Sequence, residues 1–311
     1  MVVLFLCLLS SLSCKLRLMD TSTLQAFVET AQLGSFSQAS QRLFITQSAV
    51  SKRVAQLEEQ IGARLFDRIG RTIALTDAGK ALLPQARRIL AELEDAKRVV
   101  ENIKGDISGR LSVAASHHIS LHRLPTTLRT FTNQYPEVEL DLRFYESEVA
   151  YEAVLHGDIE LALITLSPES DPRLYSELLW LDRLFYCVSN DHPIAKQGST
   201  NFETLNQYPG ILPAPNTFTS LIVHEQLAQR GLTPNLGIST NYLDTIRMMV
   251  SVGLGWSLLP ESMIDKTLHK VVIDSDAIER PLGFIYHRDR TLSNAAGKLL
   301  NLLKEDAQKG S

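Results

Sequence analysis

The sequence predicts an α/β protein: an N-terminal winged helix-turn-helix, then one long helix, then an α/β region built as two lobes. Three observations point there. Two short helical patterns with a tight join run from Phe36 to Gly62. Apolar residues at 82, 86, 89, 93, 96, 100 and 103 recur at alternating steps of 4 and 3. Beyond Gly109, strand-like and helix-like segments alternate for roughly 200 residues, more than one compact lobe normally holds.

At 311 residues the chain is too long for one ordinary core. Its 44% hydrophobic and 21% charged residues fit a globular protein. Cys7, Cys14 and Cys187 are too few for a disulfide framework and fit a reducing compartment. His117 and His118 are adjacent, but no Cys-x-x-Cys or His-x-x-x-His accompanies them, so neither metal nor cofactor is expected. From Ser37 to Arg88 there are nine Lys/Arg against four Asp/Glu, while from Gly105 onward there are 17 against 25. That asymmetry suggests that only the first part meets phosphate.

Residues 1–18 stand apart. Val2 to Leu9 is apolar but far short of the ~20 residues that span a bilayer. The basic residues Lys15 and Arg17 follow that stretch, whereas a signal peptide has them before it. Met19 opens Met-Asp-Thr-Ser-Thr-Leu, which reads as a natural start. Residues 1–18 are therefore expected to be a non-native upstream extension, and the protein to be cytoplasmic, with no membrane partner.

Thr21 or Ser22 is expected to cap a first helix to about Leu33, with Leu24, Phe27, Val28 and Ala31 on one face and Gly34 ending it. Ser35 or Ser37 caps a second, with Ala39, Leu43 and Phe44 as its apolar stripe. Thr46 caps a third, with Ala49, Val50, Val54, Leu57 and Ile61 inward, and Gly62 stops it. Its outward set is Gln47, Ser48, Ser51, Lys52 and Arg53. A polar edge at the start of the second helix of such a pair is what enters a DNA major groove. Gln pairs bidentately with adenine, Ser bonds several bases, and Lys or Arg meets guanine or phosphate. Two strands around Ile69-Gly-Arg71 would form a wing whose Arg68 and Arg71 touch DNA; a solvated turn is the alternative.

Thr76 then caps a helix to about Lys104. Its apolar series Leu82, Ala86, Ile89, Leu93, Ala96, Val100 and Ile103 has the mean spacing of a paired-helix seam, which predicts a dimer. The alternative is a helix packed on its own domain. After a hinge over 105–109, strands are expected at Arg110–Ala115, Val138–Phe144, Leu161–Ile164 and Leu184–Val188, with helices at Leu124–Tyr135 and Ala150–His156. Such alternation predicts mainly parallel sheets.

The chain resembles the LysR-type transcriptional regulators from Met19 nearly to its end. Leu24-Gln-Ala-Phe-Val28, Gly34-Ser-Phe-Ser-Gln-Ala-Ser40, Thr46-Gln-Ser-Ala-Val-Ser51, Leu57-Glu-Glu-Gln-Ile-Gly62, Leu65-Phe-Asp-Arg68 and Leu75-Thr-Asp-Ala-Gly79 carry the likeness by their order and spacing. Weaker echoes are Gly157-Asp-Ile-Glu-Leu-Ala-Leu163, His192-Pro193 and Val252-Gly-Leu-Gly-Trp-Ser-Leu-Leu-Pro260. The resemblance implies a winged helix-turn-helix over 19–77 and a linker helix over 78–105 that pairs protomers. It implies an effector domain over 110–305 of two Rossmann-like lobes, similar to the type 2 periplasmic binding proteins. Lobe I would take about 110–181 and 285–305, and lobe II about 182–284. It further implies a homodimer or homotetramer, promoter DNA, a small-molecule effector and contact with RNA polymerase.

Ligands of parallel α/β lobes bind beyond the carboxyl ends of the strands. That rule makes Ser116, His117 and His118 candidates, beside a helix start suited to an anion. His118 stands where the family commonly has a small hydroxyl residue, which hints at pH sensitivity. Thr165 ends another strand. In the second lobe, Leu212 to Ser220 reads as a loop before a helix at Leu221–Gln229, and Thr217, Phe218 and Thr219 face the cleft. Asn241 ends a further strand. Glu146 lies at the rim, where its charge selects against simple anions. A solute-binding transport protein would use the lobes but leaves Phe36 to Gly62 unexplained. An enzyme is not expected, with no catalytic residues: Gly-x-Gly-x-x-Gly, Gly-x-Ser-x-Gly and P-loop motifs are all missing.

Overall fold

The computed structural model describes residues 20–69, 72–167, 169, 171–273 and 278–309. The expectations for residues 1–18, for Arg71 and for the side chain of Arg68 lie outside the described residues. The chain forms two compact units that meet within one helix, at Glu94 and Asp95.

In the first unit, α1 (Thr21–Leu33), α2 (Phe36–Arg42) and α3 (Gln47–Ile61) precede a hairpin of β1 (Phe66–Ile69) and β2 (Thr72–Leu75). The cap of α1 is Asp20, not Thr21 or Ser22: its carboxylate accepts from Ser22 N at 3.1 Å. Ser35 caps α2 and Thr46 caps α3, while Gly34 and Gly62 end their helices with φ of 59° and 74°. Leu24, Phe27, Phe36, Val50, Val54 and Leu57 close on one core. Phe66 joins it, its ring centroid 5.5 Å from Phe27 and 5.8 Å from Phe36.

Phe44 does not belong to the apolar stripe expected for it. It is 94% exposed, at φ 54°, the one positive φ outside glycine among the described residues. That turn sends Leu43 and Ile45 into the core instead.

The hairpin is fastened to α3 through Glu58, whose Oε1 accepts from Leu65 N at 2.7 Å and Phe66 N at 3.3 Å. The 28-residue α4 (Asp77–Lys104) follows, with Thr76 Oγ1 accepting from Gly79 N at 3.0 Å. A Cβ on Gly79 would lie 2.2 Å from Leu65 O, so this helix can approach the hairpin only with glycine there. Ala86 is buried in this unit's own core and Leu82 packs against it, the alternative that the sequence left open for this end of the helix. Farther along, Ile89, Leu93, Ala96, Val100 and Ile103 are exposed.

In the second unit, β3 (Gly109–Ala115), β4 (Val138–Phe144) and β5 (Leu161–Thr165) are parallel, with β3 central. The strand expected at 184–188 is the end of β6 (Leu174–Ser189), 16 residues long. It pairs antiparallel with β11 (Ile278–His287), which also pairs antiparallel with β5. The sheet is thus mixed rather than mainly parallel.

Alternate residues of β3 and β5 face opposite sides. Leu111, Val113, Leu161 and Leu163 pack under α6 (Pro125–Gln134) and α11 (Asn294–Lys309), while Ala114, Ala162 and Ile164 pack under α7 (Ser147–Leu155). The helix expected from Ala150 therefore starts three residues earlier. The other lobe gathers Leu184, Tyr186, Val223, Trp256 and Leu258 around β7 (Gly210–Leu212), β8 (Leu236–Ser239) and β9 (Ser257–Pro260), with α9 (Phe218–Ala228) and α10 (Leu243–Ser251) outside. Two smaller elements, α5 (His117–His122) and α8 (Phe202–Leu205), and β10 (Leu268–Lys270) complete the order. β6 and β11 run through both lobes: Trp180 and Leu282 pack in one core, Leu184 and Ile278 in the other.

Candidate DNA-reading helix and interlobe cavity

In α3 the inward residues Val50, Val54 and Leu57 fix which face is turned out. Gln47, Ser48 and Lys52 are exposed, and Ser51 and Arg53 are half-buried on the same edge. Thr46 Oγ1 accepts from Ala49 N at 3.2 Å and lies 3.0 Å from Ser48 Oγ, so capping also positions the Ser48 hydroxyl. The backbone of Arg68 lies in β1 opposite Ile73.

A cavity of about 380 Å³ lies between the lobes. Ser116, His117, His118, Glu146 and Thr165 line it from one lobe, and Thr217, Phe218, Thr219 and Asn241 from the other. They meet because β3 and β5 end at this edge and α9 begins there. The loop expected to run to Ser220 stops at Thr217, which caps α9 by accepting from Ser220 N at 3.2 Å.

Several of these side chains are engaged across the cleft. His117 packs edge-on against Tyr242 at 4.9 Å. Glu146 accepts from Asn241 Nδ2, and Asn241 Oδ1 accepts from Ala214 N at 2.8 Å. Glu148, which sequence reading passed over, accepts from Phe218 N at 2.9 Å. A carboxylate at that helix start suits its dipole.

At the deep end Asp182 is shared by three partners. Arg280 Nη2 donates to Oδ2 at 2.7 Å, Arg123 Nη2 to Oδ1 at 2.9 Å, and His118 Nε2 lies 3.2 Å from Oδ2. Burial alone would raise the Asp182 carboxyl, but the His118 hydrogen bond and the Arg280 charge hold it well below the usual carboxylate range. Burial lowers His118 below the usual histidine range, and the Asp182 bond only partly offsets this. Burial thus disfavours the charged form of His118, which Asp182 holds in place.

Arg280 and Tyr145 also line the cavity unforeseen. Arg280 gave no local signal, since it sits mid-strand, 98 residues from the Asp182 that it pairs with. Glu148 was within reach, as an acidic residue in the first turn of a helix at the cleft. Among the described residues no group of His, Cys, Asp and Glu could hold a metal, and no helix is long and apolar enough to cross a membrane.

Residues 21–80 match the family described as bacterial regulatory helix-turn-helix protein, lysR family, and residues 104–308 match the LysR substrate binding domain. The chain is 29% identical over 282 residues to the transcriptional dual regulator GltC of Bacillus subtilis, covering 89% of this chain and 94% of GltC. Among solved structures, full-length OxyR of Pseudomonas aeruginosa superposes with a TM-score of 0.66 at 20% identity, covering 93% of this chain and 94% of that one. CbnR in complex with its target DNA gives 0.60 at 21% identity, covering 92% and 99%.

Proposed function

The chain belongs to the LysR family of DNA-binding transcriptional regulators, and we propose that it reads promoter DNA through α3 and answers to a small molecule held between its lobes. The observation behind the first half is the polar edge of α3, Gln47 to Arg53, turned out by a buried Val50, Val54 and Leu57. Gln47 and Ser51 would read base edges, and Lys52, Arg53, Arg68 and Arg71 would meet guanine or phosphate.

The nine cavity residues from both lobes support the second half. The exposed stripe from Ile89 to Ile103 supports pairing of two chains, which would place two α3 helices on two half-sites. Such a protein acts by binding rather than catalysis, and it works in the cytoplasm, where the genome lies.

Selection of genomic fragments by the purified chain tests this reading. Enriched fragments should share a motif, and Lys52→Ala should flatten the salt dependence of their binding by a slope of about 1. Enrichment of no motif, with or without a metabolite extract, would defeat it.

A further inference from the structure

The cavity offers hydrogen-bond acceptors and paired charges. Among the described residues, Arg280 is the one Lys or Arg in its lining. It is 4% exposed and donates through Nη2 to Asp182 at 2.7 Å, while its Nε is a buried donor without a hydrogen-bond partner among the described residues. The surplus positive charge of that cluster sits on Arg123, outside the lining, partly hydrated and stacked 5.8 Å from the Trp180 ring. Two carboxylates, Glu146 and Glu148, line the cavity toward solvent, and each spends one oxygen, Oε1, on its bond across the cleft.

A further acceptor lies deeper. Asp182 only accepts, so His118 Nε2 donates to it, and in the neutral ring that burial favours Nδ1 is a lone pair. His118 is 6% exposed and lines the cavity, and its Nδ1 has no hydrogen-bond partner among the described residues. A buried acceptor without a donor is costly, so a donor brought by a ligand would relieve it. The rings of Phe144, Tyr145 and Tyr242 complete the wall. Aromatic faces beside carboxylates suit a cation.

Resting on the reading that the cleft holds an effector, we propose that the effector is a compact organic cation, a primary ammonium or guanidinium on a short or aromatic body. A carboxylic acid or phosphate would face Glu146 and Glu148, and the guanidinium charge of Arg280 is already balanced by Asp182, leaving only its Nε to donate.

The test is calorimetric titration of the full chain with phenethylammonium and with 3-phenylpropanoate, matched in ring and chain and opposite in charge. The ammonium should bind at least about tenfold more tightly. The double variant Glu146→Gln with Glu148→Gln keeps acceptor oxygens for Asn241 and Phe218, and it should erase the preference. Thr219→Trp, which fills the cavity, should abolish binding, with an unchanged thermal unfolding transition of the unit from residue 95 onward as the control for folding.

Equal or tighter binding of 3-phenylpropanoate overturns the proposal. So does a preference that survives in the double variant, or no heat from either probe up to about 10 mM. A carboxylate that binds wild type and is lost in Thr219→Trp overturns the ligand class but leaves the cleft as the effector site. The cleft reading fails separately if no metabolite, of either charge, changes DNA binding.

Discussion

Arg280 and Asp182 are register partners on β11 and β6, and the Arg280 guanidinium donates to the Asp182 carboxylate at 2.7 Å where both strands pass from one lobe to the other. The pair is buried, with His118 and Arg123 completing the carboxylate's contacts. Charge buried at a crossing of lobes is tolerable only while paired. It also ties cavity residues His118 and Arg280 to the strands that connect the lobes.

Asp182→Ala leaves Arg280 buried without its partner. Chemical denaturation of the variant should show a loss of about 3–5 kcal/mol in the stability of the unit from residue 95 onward. A loss below about 1 kcal/mol would mean the pair is hydrated in solution.

His118 imposes a pH dependence. Its folded pKa lies below the unfolded 6.5, so the unfolded chain takes up the proton first as pH falls. Stability from this group is full above about pH 6.5 and declines below it, down to the folded pKa. His192, also lowered by burial, adds a slope of the same sign. The Asp182 contribution is lost only farther down, below the usual carboxylate range, as its folded pKa is lowered. Melting temperatures from pH 7.5 to 5 should fall less steeply in His118→Gln, which keeps a donor toward Asp182. Parallel curves would show that folding leaves the His118 pKa unchanged.

Leu93 lies in the exposed stripe of α4, beyond the part that packs on its own core. Leu93→Asp should convert dimers to monomers in sedimentation velocity without lowering the melting temperature of the first unit. An unchanged mass would remove α4 as the pairing helix.

Phe44 holds a left-handed backbone with its ring in solvent. Asn adopts that conformation more readily, so Phe44→Asn should stabilise the first unit by about 1 kcal/mol. A destabilised variant would show that the ring is covered in solution.

Helices were legible because a 3.6-residue period and its caps are local: Ser35, Thr46, Gly34 and Gly62 all act as their positions suggest. Phe44 misled because apolar character says inward, while a single left-handed residue turns a side chain out. For Leu82 and Ala86 the sequence leaves two readings open, because one spacing serves both a partner helix and a domain's own core. Strand direction was hidden, since a parallel and an antiparallel neighbour bury the same residues. The part of β6 before Leu184 was missed because Glu177, Asp182 and Arg183 interrupt its apolar pattern, and Pro281 obscured β11. Strand ends were legible, so nine cavity residues were found; Arg280 reaches the cavity by strand pairing alone.

The decisive measurement is a base-substitution profile of the selected DNA site for wild type and Gln47→Ala. Loss of discrimination confined to one or two adjacent base pairs, by about 1–3 kcal/mol, is expected if Gln47 reads a base edge. Identical profiles for the two proteins would refute base reading by the start of α3.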